Sequence, residues 1–278
     1  MLNFSLSYLR IFSSLIAILA FLNILYSYYF NLYLNVDSYF YTLLISLIPI
    51  LTFFYKGKKD TKVTIFSKIM TVISGYLILP LLISLPYFLS IYNITFLDAY
   101  FEAVSGFTST GFSIFENIKH LDESIIIWRS TSQWVGGLYF LFSIILLIDI
   151  FDDNLKKTLT NYLAFNSSEI FKQSLKIFIF YFLLTFIIFV ILNIFDLRSF
   201  VSLNLAMTLI SSGGFLPINN LSSVLNTQIK VFIFSILMLL SFFSLFFTYN
   251  LALYKQKGPK FMQEDLYLIF YLLIVYFI

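Results

Sequence analysis

Long apolar stretches alternate with short polar ones along this chain of 278 residues. A helix needs about 20 apolar residues to cross roughly 30 Å of hydrocarbon. Runs of that order extend from near Phe12 to Phe30, Ser38 to Tyr55, Val63 to Ile91, Ile125 to Ile150, Ile177 to Ile194 and Val231 to Leu253. The third contains Pro80 and Pro86, which membrane helices tolerate because neighbours re-satisfy the freed carbonyls. Two segments break the pattern, 95–115 and 198–220. Each offers helix-compatible residues, then small polar residues ending in Gly-Phe, and each is too short and interrupted to span. A last run, LYLIFYLLIVYFI, has about 13 residues, roughly 20 Å as helix and short of a bilayer.

Composition assigns the class. Hydrophobic residues make up 60% of the chain and charged residues 11%, against about 25% charged in an ordinary soluble domain. A soluble fold could not bury that much apolar surface, so the chain is predicted to be an all-α integral membrane protein. There is no cysteine and one histidine, His120, which excludes disulfides, thiolate sites and multi-histidine metal sites. No pair of acids falls on one apolar run, so a membrane-embedded enzyme is disfavoured. The net charge of +3 is modest and reads as topology, not nucleic-acid binding.

Lys56, Lys58, Lys59, Lys62 and Lys68 gather at one loop, Lys156, Lys157, Lys172 and Lys176 at the next but one, and Lys255, Lys257 and Lys260 at the next of that parity. The positive-inside rule places these loops in the cytoplasm. The expectation is a multi-pass protein of the cytoplasmic (inner) membrane with a cytoplasmic N-terminus and both broken segments outside. Arg10 precedes the first run without a cleavage site, which predicts a retained helix.

The broken segments match each other. FLDAYFEAVSGF-TSTGF-SIF and SFVSLNLAMTLI-SSGGF-LPI align Gly111 with Gly214, and Thr108, Ser109 and Thr110 with Ser211, Ser212 and Gly213. The unit is span, half-helix, polar loop, span, and internal duplication with interrupted segments marks membrane transport proteins. Non-helical backbone at membrane depth must find water, protein or an ion, at several kcal/mol per unsatisfied group. Small residues let the main chain face a lumen, and glycine permits dihedrals that turn successive carbonyls one way. Such oxygens can replace the hydration shell of a monovalent cation. The plain alternative is a surface loop. Asp98 and Glu102 belong near the outer mouth, as cation attractors, as helix caps, or as hydrogen-bonding supports of the loop. Arg129 snorkels or pairs with a carboxylate such as Glu102 or Glu123. Gly136 and Gly137 suit close helix packing better than a hinge.

FEAVSGFTSTGFS resembles the first pore loop of the Trk/Ktr/HKT potassium transporters, ISSGGFLPINN the second, and Arg129-Ser-Thr-Ser-Gln133-Trp134-Val-Gly136-Gly137 the start of the helix between them. The resemblance covers most of the chain from about Ser67. It implies potassium-channel-like helix–pore-loop–helix repeats, four to a subunit, with filter glycines at Gly111 and Gly214. It also implies that K+, with Na+ as a second candidate, is held as the transported ion by main-chain carbonyls of Thr108, Ser109, Thr110, Gly111, Ser211, Ser212, Gly213 and Gly214. No covalently bound cofactor is implied. Family members dimerise in the lipid bilayer and bind a cytosolic nucleotide-binding regulatory ring.

On this reading residues 1–62 are N-terminal helices, 63–150 the first repeat, 151–176 a cytoplasmic linker, 177–254 the second repeat and 255–278 the start of a third. Only two pore loops are present, so truncation is expected: a fragment, a split gene or a frameshift. Two further expectations stand beside it. A homodimer, or a complementary membrane chain, could close a ring of four loops. The rivals to a potassium-uptake subunit are a half-transporter that needs a second polypeptide and conducts nothing alone, and another solute carrier with discontinuous helices, which the paired Gly-Phe loops suit less.

Overall fold

A computed structural model describes residues 2–51, 65–147 and 167–242, with Tyr267, Phe270, Tyr271 and Ile274 as isolated positions of the last run. The lysine-rich loop at 56–62, the linker from 148 to 166 and the continuous stretch after 242, including the expected third repeat, lie outside the described residues.

The described elements are helical: α1 (Leu2–Tyr29), α2 (Val36–Leu51), α3 (Ile65–Ser90), α4 (Phe96–Phe107), α5 (Glu123–Leu147), α6 (Ser167–Ile194), α7 (Ser199–Ile210) and α8 (Gln228–Phe242). Three stretches among them, Tyr8–Tyr29, Ile65–Ser90 and Leu175–Ile194, are long and apolar enough to cross a membrane. Their outward faces carry half-exposed Phe21, Leu22, Leu77, Phe182 and Phe186. Apolar exposure on that scale suits lipid rather than water. The fold is an all-helical integral membrane fold.

Helix α5 is the centre. Every residue from Ser124 to Gly136 is buried, as expected of a helix with neighbours on all sides. Helices α1 and α2 form a hairpin, turning at Asn31 with φ 58°, and dock on the start of α5. There Asn23 Nδ2 donates to the Ser124 carbonyl at 3.1 Å and the Tyr39 hydroxyl bonds Ser124 Oγ at 3.2 Å. Both prolines inside α3 have a side-chain donor close by. The carbonyls of Leu77 and Ile83, each three residues before a proline, accept from the Tyr100 hydroxyl at 3.0 Å and from Trp128 Nε1 at 2.9 Å.

The two half-helices, α4 and α7, are 12 residues each and lean on α5 through adjacent glycines. A side chain at Gly136 would run into the Phe107 main chain, and one at Gly137 would meet Ser211 Cβ at 2.9 Å. Close packing, not a hinge, is therefore what the pair provides. Gly136→Ala is expected to destabilise the protein by about 1–3 kcal/mol through overpacking against backbone that cannot rotate away. Thermal unfolding in detergent micelles checks this, and an unchanged melting temperature would show that α5 can slide.

Candidate functional site

Each broken segment enters, turns and leaves in the same way. The register that aligns Gly111 with Gly214 also pairs Asn93 (φ 64°) with Asp196 (φ 55°) before the half-helix, and Ser109 (φ 55°) with Ser212 (φ 52°) after it. Both half-helices end in the same cap. In the first, the Ser109 N–H bonds the Gly106 carbonyl at 3.0 Å and the Thr110 N–H the Ser105 carbonyl at 2.9 Å. In the second, the Ser212 N–H bonds Leu209 at 2.9 Å and the Gly213 N–H bonds Thr208 at 2.8 Å. This is the Schellman arrangement, with serine where glycine is the usual left-handed residue. Hydroxyls then close both loops: Ser105 Oγ donates to the Phe112 carbonyl at 2.5 Å and Thr208 Oγ1 to the Phe215 carbonyl at 3.0 Å.

These bonds fix where the oxygens go. In a trans peptide the N–H and C=O point opposite ways, and no described peptide is cis. The N–H groups of Ser109, Thr110 and Gly111 turn toward the end of α4, the last to Ser105 at 3.4 Å. The carbonyls of Thr108, Ser109 and Thr110 therefore turn away from it. The N–H groups of Ser212 and Gly213 do the same at α7, directing the carbonyls of Ser211 and Ser212 outward. Phe112 and Phe215 end both runs by turning their carbonyls inward. Among the described residues no donor reaches the carbonyls of 108–111 or 211–214.

Gly111, at φ 80°, lies backbone to backbone with Gly214: a Cβ on Gly111 would sit 2.6 Å from the Gly214 Cα. The eight candidate residues thus flank one point of contact between the repeats. Further out, the Asn219 side chain accepts from the Ile118 N–H at 2.7 Å and donates to Asn117 Oδ1 at 2.5 Å, a second tie between the loops.

Glu102 is fully buried, with Arg129 Nε at 2.8 Å from Oε1. Its oxygens also accept from Ser113 Oγ and the Ile114 N–H, both at 3.0 Å, and Arg129 Nη2 donates to Ser113 Oγ at 2.9 Å. Of the roles open to Glu102 and Arg129, the structure shows loop support and pairing; neither lies at an open mouth. Glu123 takes Arg198 at 3.0 Å instead, in an exposed pair. Asp98 stands apart from this cluster. It is exposed and caps α4 reciprocally with Thr95, accepting from the Thr95 N–H at 3.3 Å and donating its own N–H to Thr95 Oγ1 at 3.2 Å.

One side chain that anchors the second loop is not among the candidate site residues read from the sequence. With its amide oriented to satisfy its neighbours, Gln133 accepts from the Gly214 N–H at 2.9 Å and the Phe215 N–H at 3.0 Å and donates to Thr208 Oγ1 at 3.1 Å. The signal was its place one turn after Arg129, on the same helix face. The Arg129 guanidinium in turn lies 4.3 Å from the centre of the Phe215 ring. One helix therefore holds both loops.

No family model matches the chain. It is 30% identical over 172 residues to the uncharacterised cation transporter MJ1485 of Methanocaldococcus jannaschii, a match covering 59% of this chain and 35% of that protein. It is 41% identical over 46 residues to the Trk system potassium uptake protein TrkG of Escherichia coli, covering 16% of this chain and 10% of TrkG. With TrkI of Halomonas elongata it shares 35% over 66 residues, covering 24% of this chain and 12% of TrkI. In structure it resembles the potassium transporter TrkH from Vibrio parahaemolyticus, with a TM-score of 0.60 at 19% identity over 84% of this chain and 49% of TrkH. The chain matches about a third of the length of MJ1485 and about half of the TrkH chain. It is Trk-like in sequence and in fold.

Proposed function

We propose that this Trk-like membrane chain carries potassium across the cytoplasmic membrane, its two loops supplying main-chain oxygens to the dehydrated ion. The observation that carries the reading is the matched pair of loops. Both turn their N–H groups into the protein and leave the carbonyls of 108–111 and 211–214 without donors among the described residues, with Gly111 against Gly214. A row of such oxygens can replace the water shell of a monovalent cation. Behind the first loop Glu102 and Arg129 are paired with each other, which leaves the carbonyl dipoles to set the field at the site. Chemistry here is dehydration and passage, with no covalent step.

The lysine distribution supports loops on the outer side and a cytoplasmic N-terminus. The membrane potential then favours uptake by about 2.3 kcal/mol per charge per 100 mV. Thr110, Phe112 and Gly214 are exposed beside the glycine contact, Phe112 at 70%. That open side supports a site completed by further loops, from a second copy or another membrane polypeptide.

Expression in cells that lack their own potassium uptake tests the reading, with growth at low potassium and rubidium uptake as readouts. The chain is introduced alone and together with the part of MJ1485 that it does not match. Potassium-selective uptake in either arrangement is expected. Membrane insertion without potassium or rubidium uptake in both would overturn the proposal.

A further inference from the structure

We propose that Gln133 is a positioning residue that sets how strictly the second loop distinguishes potassium from sodium; the inference rests on the carbonyl site proposed above. The two loops are anchored by different chemistry. The first is held from its own half-helix, by Glu102 accepting from Ser113 Oγ and the Ile114 N–H. In the second repeat the aligned positions are Leu205, Leu216 and Pro217. Leucine cannot accept, and proline has no N–H to offer. Past the cap and the hydroxyl bond that both loops have, the second loop is held from α5, where Gln133 reaches it at Gly214 and Phe215.

That point of attachment matters. The N–H of Gly214 shares a peptide plane with the carbonyl of Gly213, and the N–H of Phe215 with the carbonyl of Gly214. Gln133 thus fixes the direction of two oxygens assigned to the ion, whereas Glu102 acts beyond Gly111, at Ser113 and Ile114. Gln133 is itself held on all sides. It is wholly buried, its amide nitrogen is engaged by Thr208 Oγ1, and Arg129, Gly136 and Gly137 clamp the same face of α5 at i, i+4, i+7 and i+8 spacing. Carbonyls held at the spacing of the larger ion resist closing on the smaller one; freed carbonyls can close.

The test uses the purified protein in lipid nanodiscs, in whichever arrangement supports transport. Thermal stabilisation is titrated with potassium chloride and with sodium chloride, and hydrogen exchange is followed in peptides covering each loop. Gln133→Met removes the hydrogen bonds at nearly constant volume. It is expected to lower the potassium-over-sodium preference at least about fivefold and to speed exchange at 214–215 while leaving 111–112 unchanged. Gln133→Glu keeps an oxygen that accepts both N–H groups and is expected to retain slow exchange. Thr208→Val frees the amide nitrogen and also removes the hydroxyl bond to the Phe215 carbonyl, leaving the Gln133 oxygen on both N–H groups, and is expected to fall between; these two variants carry the test if Gln133→Met does not fold. Unchanged exchange at 214–215, or faster exchange with an unchanged ion preference, would overturn the role of Gln133 alone. A wild-type chain stabilised equally by both ions would overturn the carbonyl-site reading, and this inference with it.

Discussion

Gly111→Ala is expected to lower potassium uptake at least about tenfold while the protein still reaches the membrane. Two costs meet at this residue. Its φ of 80° suits glycine and strains any L side chain by about 1–2 kcal/mol. Its Cβ would stand 2.6 Å from the Gly214 Cα, and the obstacle is main chain, which cannot swing aside. The loops must separate, by on the order of 1 Å, to restore ordinary contact at about 3.5–4.0 Å. Gly214→Ala pays only the second cost, at 2.9 Å from the Gly111 Cα, so it should be the milder of the two. Rubidium uptake normalised to membrane abundance, in whichever arrangement supports transport, checks both. Wild-type uptake by Gly111→Ala would refute the shared carbonyl site.

The second large effect is at the buried ion pair. Glu102→Leu leaves the Arg129 guanidinium in the core without a counter-charge, and Arg129→Met does the same to Glu102. Each is expected to cost about 3–5 kcal/mol, a large share of the 5–15 kcal/mol that ordinarily separates folded from unfolded chains. Low membrane abundance and a depressed melting temperature are the readouts. The double variant Glu102→Leu/Arg129→Met should recover much of the loss, because a neutral pair needs no compensation. Exchanging the charges should not. The Ile114 N–H and Ser113 hydroxyl point at the carboxylate, and an arginine at 102 would meet donors with donors. A charge-swapped protein as stable as wild type would show that Coulomb attraction alone holds this corner.

The duplicated loops are legible in the sequence because polar, glycine-containing backbone inside an apolar chain has few places to go. The alignment of Gly111 with Gly214 needs only two matched strings, and the structure brings those residues into contact. Side-chain destinations are harder to read. Glu102 and Asp98 lie one turn apart, yet one is buried against Arg129 and the other caps a helix in the open. The two carboxylates offered to Arg129 are Glu102 and Glu123; the structure pairs it with Glu102 and gives Glu123 to Arg198, a choice set by helix packing that a single sequence does not record. Gln133 was hidden for a simpler reason: its partner lies 82 residues further on. The serines at Ser109 and Ser212 were equally opaque, since glycine is the usual residue for the conformation they adopt.

The strip from Arg129 to Gly137 leaves α5 no slack in its winding. Inserting one residue between Gln133 and Gly136 would turn everything after it by about 100°, and both glycines would leave the half-helix ends they admit. The surface turn at 220–227 carries no such phase requirement. Length changes should therefore be tolerated there while the interior of α5 stays uniform in length, so that this helix serves as the ruler against which both loops are laid.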